Sequence, residues 1–100
     1  MIVRLWRGWV RPADADAYEQ RLKTVTFPSY VARGVAGYRG ARVLRRSGEA
    51  EVEFLTVLEF DDWDAVHAFG GGDWDRPTVP EAARAILLRW DERSAHYEAR

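Results

Sequence analysis

Residues 2–11 form a run with two apolar faces, and this constrains the fold more than any other feature of the chain. The stretch Ile2-Val3-Arg4-Leu5-Trp6-Arg7-Gly8-Trp9-Val10 is rich in β-formers, and Arg11-Pro12 ends it, because a residue before proline leaves regular structure easily. Side chains alternate along a strand. Val3, Leu5, Arg7 and Trp9 take one face; Ile2, Arg4, Trp6, Gly8 and Val10 take the other. Both faces are mostly apolar, so both are expected to be covered. A chain of 100 residues reads as a single domain, 1–100. It buries roughly 60–70% of its unfolded surface, enough for one core with little to spare.

The rest of the chain supplies the partners. Residues 14–26 are expected as a helix, started by Asp14 and Asp16, with Ala15, Tyr18, Leu22 and Val25 as its core stripe. Phe27-Pro28 is expected to disturb it, with Pro28 restarting a turn through Ala32. Gly34 and Gly37 close the segment. Residues 38–47 and 50–60 read as a hairpin turning at Ser47-Gly48, with Arg–Glu pairs across it. Asp61 or Asp62 caps a short helix through Ala68, with Trp63, Val66 and Phe69 inward. Residues 70–79 read as a loop. Residues 80–90 are expected as a further helix, with Ala83, Ile86, Leu87 and Trp90 on one face, and 94–99 as a last strand.

The order β-α-β-β-α-(α)-β is the split βαβ arrangement. The expectation is an α+β, ferredoxin-like fold with a four-stranded antiparallel sheet and helices on one face. The other apolar face then needs a cover, and a second copy of the sheet supplies one through a two-fold interface. The predicted partner is therefore the same chain, as a homodimer.

Charge and composition exclude other classes. Fifteen Lys and Arg oppose sixteen Asp and Glu, for a net charge of −1. No net field draws nucleic acid or an anionic membrane. With no Cys, disulfides, Cys–zinc sites and thiol nucleophiles are ruled out. The N-terminus carries Arg4 and Arg7 inside its apolar stretch, so it reads as neither signal peptide nor membrane span, and a cytoplasmic protein is expected. The aspartates 61, 62, 64, 73 and 75 match no EF-hand spacing, and no metal is expected. Gly70-Gly71-Gly72 lacks the spacing and the following Lys of a phosphate cradle; it reads as a flap with Trp74 over a cavity mouth. No Ser lies in a Gly-x-Ser-x-Gly elbow.

Five stretches, in this order and spacing, resemble the antibiotic-biosynthesis-monooxygenase branch of the dimeric α/β-barrel superfamily. They are Ile2-Val3-Arg4-Leu5-Trp6-Arg7-Gly8, Gly37-Tyr38-Arg39-Gly40-Ala41, Glu53-Phe54-Leu55-Thr56-Val57, Trp63-Asp64-Ala65-Val66-His67-Ala68-Phe69 and His96-Tyr97-Glu98. The resemblance implies a homodimer whose two sheets form a barrel, with a cavity between sheet and helices in each subunit. Characterised members oxygenate polycyclic aromatic substrates with no metal or flavin, or cleave haem. The haem-cleaving pattern is met only in part. Arg7 stands where those enzymes have Asn, His67 where they have Trp, and residues 68–95 contain no His to serve as ligand. Fold by itself does not fix function.

The reading that follows is a cofactor-independent monooxygenase-like protein acting on a small aromatic or quinol-type molecule. Trp63 and His67, four apart, share one face of a short helix. A His with an ordinary pKa near 6.5 can take a phenolic proton at neutral pH, and the resulting anion can reduce oxygen directly. His67, Trp63 and Arg7 are the expected catalytic residues; Tyr30, Trp74 and Trp9 the expected substrate-binding ones. Arg7, a charge among apolar neighbours, needs an anion, a carboxylate or water. The structural alternative gives Trp63 to the core, His67 to the surface and Arg7 to a Glu. On that account the protein is a non-catalytic, dimeric ligand-binding or structural module. Haem binding is the third reading.

Overall fold

The computed structural model describes residues 1–100. The strands are β1 (Ile2–Val10), β2 (Tyr38–Ser47), β3 (Val52–Phe60), β4 (Leu87–Trp90) and β5 (Ala95–Glu98), all antiparallel in one sheet. The order across the sheet is β2-β3-β1, and then β4 and β5 share the remaining edge of β1. β4 lies opposite Gly8–Val10 and β5 opposite Ile2–Leu5. The fold is therefore α+β with a five-stranded antiparallel sheet, compatible with a ferredoxin-like arrangement in which the fourth strand position is split in two.

The segment between β1 and β2 is one continuous helical run. It comprises a 3-10 turn at Pro12–Asp14, α1 (Ala15–Arg21), a π-helical stretch at Leu22–Thr26, and α2 (Phe27–Ala32). The expected disturbance at Phe27-Pro28 takes the form of the π-helical stretch, and Pro28 stands in the first turn of α2, which runs to Ala32. Pro28 lacks an N–H and its ring crowds the carbonyl four residues back. The wider π turn relieves this, with the Phe27 N–H bonded to the Leu22 carbonyl five residues back. It also rotates the stripe: Ala15, Tyr18 and Leu22 are buried, but Val25 is 50% exposed.

The helix α3 runs Trp63–Gly70, and its cap is Asp62, whose side chain accepts from the Ala65 N–H at 2.9 Å. Asp61 instead pairs with Arg39. The expected helix over 80–90 is a correction: only α4 (Glu81–Arg84) is helical, and Leu87–Trp90 is strand. A short apolar run satisfies both periodicities. Here the free edge of β1, with unpaired N–H and C=O groups, decides between them. Leu87 turns inward and is buried; Leu88 is left exposed.

The helices pack on the sheet face that carries Ile2, Arg4, Val10, Phe54, Leu58 and Phe60. The core on this side has two parts. One joins Val10, Tyr18, Leu22, Val52, Phe54 and Leu87. The other joins Ile2, Leu58, Phe60, Ala65, Val66 and Phe69. The opposite face carries Val3, Leu5 and Leu55 half-buried, with Leu44 (opposite Leu55) and Tyr97 (opposite Val3) exposed. No helix is long and apolar enough to cross a membrane.

Candidate functional site

Between sheet and helices lies a cavity of about 90 Å³. Its lining draws on both parts of the core, with Tyr18, Leu22, Val79 and Ala83 from one and Leu58 and Phe69 from the other. β1 contributes Arg4 and Trp6, because residues two apart share a strand face. The helical run contributes Tyr18, Arg21 and Tyr30, and the loop after α3 closes one side with residues 76–80. The tryptophan wall is fixed in place: the Trp6 indole Nε1 donates to the Asp91 carbonyl at 2.8 Å. Phe69 meets Tyr30 edge-on at 5.1 Å between centroids.

Four arginines line this space, Arg4, Arg21, Arg33 and Arg76, and no Asp or Glu does. Arg4 is buried, and burial pulls its pKa below the ordinary arginine value. It remains cationic at neutral pH. Its Nη1 donates to the Trp74 carbonyl and approaches His96 Nε2 at 3.5 Å, and it has no carboxylate partner. Arg33 donates to the Phe69 carbonyl at 2.7 Å and lies over the Phe69 ring at 4.4 Å. Burial raises the pKa of both Tyr18 and Tyr30, so both phenols are neutral at physiological pH.

Beside the cavity, four rings gather on the surface side of Arg4. Trp74 meets His96 at 4.9 Å, His67 at 5.0 Å and Trp63 at 5.8 Å. Trp63 is 39% exposed, and His67 is exposed. Burial, and next the Arg4 charge, push the His96 pKa down to about 4. His96 is thus neutral at pH 7. Its Nε2 faces the donating Arg4 guanidinium, which leaves the ring proton on Nδ1. No group of three or more His, Asp or Glu side chains is placed to hold a metal ion.

The expected site residues therefore divide among three places. Tyr30 lines the cavity. His67, Trp63 and Trp74 lie together in the ring cluster and do not line it. Arg7 and Trp9 are on the far face of the sheet. There Arg7 binds Asp91 through two side-chain hydrogen bonds, at 2.9 and 3.0 Å, and Trp9 lies under Arg7 and Arg89. The expected cavity position of Arg7 is corrected by strand parity: the helices cover the even-numbered face of β1, not the odd one.

The expected flap is held at several points. Besides the Arg4 bond to Trp74, Arg93 pairs with Asp73 and Asp75, and the Ser94 N–H donates to the Asp75 carbonyl. Phe69, expected inward, lines the cavity; Arg4, Arg21, Arg33, Trp6 and Ser94 are not among the residues expected there. The one usable signal was Arg4, a charge on the more apolar face of the first strand.

No protein-family model matches this sequence, and no curated protein matches it.

Proposed function

We propose that this protein is a cofactor-independent monooxygenase-like protein acting on a small aromatic, quinol-type molecule held between sheet and helices. The observation that supports it is the character of the cavity: walls of Trp6, Tyr18, Tyr30 and Phe69 beside three arginines without ion pairs, Arg4, Arg21 and Arg33, and no carboxylate in the lining. A phenol or enol bound there ionises more readily, because the cationic groups stabilise its anion in a partly dry space. An electron-rich anion can pass its electrons directly to oxygen. In balance, a ring C–H para to the hydroxyl, which is a CH₂ in the keto tautomer, becomes C=O, one oxygen atom enters the product and the other leaves as water. The substrate supplies all four electrons, so no external reductant is needed. The phenolic proton goes to water, since His67 is outside the lining.

Size narrows the substrate. Pockets for drug-sized ligands hold roughly 300–1,000 Å³. The 90 Å³ here takes about one ring, and a polycyclic substrate requires the 71–79 loop to withdraw. A second reading, a binding module without catalysis, is favoured by one specific observation: the lining contains no His, Asp or Glu to serve as base. Oxygen uptake with hydroquinones, measured beside equilibrium binding, separates the two. Binding with uptake supports the oxygenase; binding without uptake supports the module; no binding removes both.

The homodimer belongs to the same proposal. The apolar outer face of the sheet, with Leu5, Leu44, Leu55 and Tyr97, is the surface that a second copy would cover.

A further inference from the structure

We infer that the cavity is a site for a small aromatic carboxylate, with Arg21 and Ser94 as the groups that await it. The inference rests on the proposed function only for the cavity as the place of binding, and it names the ligand class.

Two side-chain polar atoms in the whole chain are buried without a hydrogen-bond partner: Arg21 Nε and Ser94 Oγ. Both residues line this one cavity. Buried polar groups are nearly always satisfied, so each unsatisfied one asks for a reason. Two that share a cavity have a common reason in a polar ligand. Arg21 Nε can only donate, and the Ser94 hydroxyl can donate as well, so the ligand must bring acceptors.

The charge pattern says what kind of acceptor. Acidic residues outnumber basic ones, sixteen to fifteen, so partners are not scarce. Arginines elsewhere take them: Arg7, Arg39, Arg45, Arg46, Arg89 and Arg93 all form ion pairs. Of the five arginines that form none, Arg42 and Arg84 lie outside the cavity, and Arg4, Arg21 and Arg33 line it beside Arg76, which pairs with Asp73. Cations left without carboxylates around a partly enclosed space form an anion site. The guanidinium fork suits both carboxylate and phosphate. The small volume and the Tyr30–Phe69 wall favour a planar carboxylate on a ring over a bulkier, more hydrated phosphate.

The test uses benzoate, its uncharged isostere benzamide, and phenyl phosphate, titrated against the full chain by calorimetry at pH 7. Benzoate is expected to bind at least about tenfold more tightly than benzamide. In Arg21→Gln this preference should shrink several-fold, and in Ser94→Ala benzoate should weaken. Arg33→Gln, at an exposed position, serves as a second variant in which benzoate should also weaken, with circular dichroism to check the fold of each. Equal affinity for benzoate and benzamide overturns the anion site and leaves a binding cavity standing. Preference for phenyl phosphate overturns the carboxylate assignment. No binding of any probe overturns the inference and the proposed function together.

Discussion

Arg4 Nη1 donates to the carbonyl oxygen of Trp74 at 2.5 Å, across seventy residues of sequence. A central strand thereby holds the loop that closes the cavity. The same guanidinium lies 5.6 Å from the Phe69 ring and 3.5 Å from His96, so one buried charge organises cavity wall, loop and ring cluster. Replacing it with an apolar side chain of similar length, Arg4→Met, leaves the Trp74 carbonyl unpaired. The expected loss is about 1–3 kcal/mol in denaturant unfolding. Tryptophan emission should also shift to the red as Trp74 gains water. A variant with unchanged midpoint and emission would show that the Arg93 pairs hold the loop unaided.

His96 predicts an acid sensitivity. Its pKa is pushed down from 6.5 to about 4 in the folded chain, first by burial and then by Arg4. Between those two values the unfolded chain takes up a proton that the folded chain refuses. Stability should therefore rise with pH through that window, and be lost as pH falls from 6.5 towards 4. The arginine-paired Glu51, Asp61 and Asp73 have depressed pKa values and contribute their own loss at the acid end. Melting temperatures of wild type and His96→Gln across pH 4.5–7 separate the contributions. The variant should show the shallower slope; parallel slopes would remove His96 as the cause.

Gly37 is held twice over. Its φ is +85°, and a Cβ placed there would come 2.7 Å from the Cβ of Ala65 at the start of α3. Gly34 has φ +63° but open space around it. Gly37→Ala should thus cost more than the roughly 1 kcal/mol of left-handed strain alone, and Gly34→Ala about that much. Equal midpoints for the two variants in urea would mean that α3 shifts to make room.

Arg7 offers a contrast of place. Its bidentate pair with Asp91 is exposed on the arginine side by 51%. Such pairs contribute up to about 1 kcal/mol. Arg7→Ala should therefore lower stability slightly and leave benzoate binding unaltered, whereas Arg21→Gln should do the reverse. A loss of binding in Arg7→Ala would place the ligand on the outer face of the sheet.

The contrast also shows how far the sequence could be read. Strand and helix order followed from periodicity, and β2 was legible from end to end because turn residues bound it on both sides. Leu87–Trp90 was misread because four residues cannot distinguish the two periods; only the unfilled edge of β1 does so. Val25 was misread because a π turn changes the stripe without any change in apolar content. The two faces of β1 were correctly divided, but parity does not say which face the helices will cover. Arg4 and Arg7 are each a charge in an apolar stretch, and the sequence does not show that Arg4 is the one on the covered face. Arg21 and Ser94 were beyond reach, because a missing partner is a property of three-dimensional packing.

The odd-numbered face of β1 leads to the last prediction. Leu44 is 50% exposed and Tyr97 58%, at opposite edges of a sheet face that Leu5 and Leu55 fill between them. Exposed apolar side chains scattered singly need no account, but a contiguous patch does. If a second copy covers this face, sedimentation equilibrium should give twice the 11.5 kDa chain mass. Leu44→Asp then becomes the informative variant. Leu44 is too exposed to carry much of the chain's own stability, so the change should alter the circular dichroism little. A charge buried without a partner in a two-fold interface is strongly unfavourable, and the symmetry places it there twice. The variant should sediment as a monomer with its secondary structure intact. A wild-type chain already monomeric at high micromolar concentration would remove the dimer from the proposal, and would leave the cavity, on the other face of the sheet, unaffected.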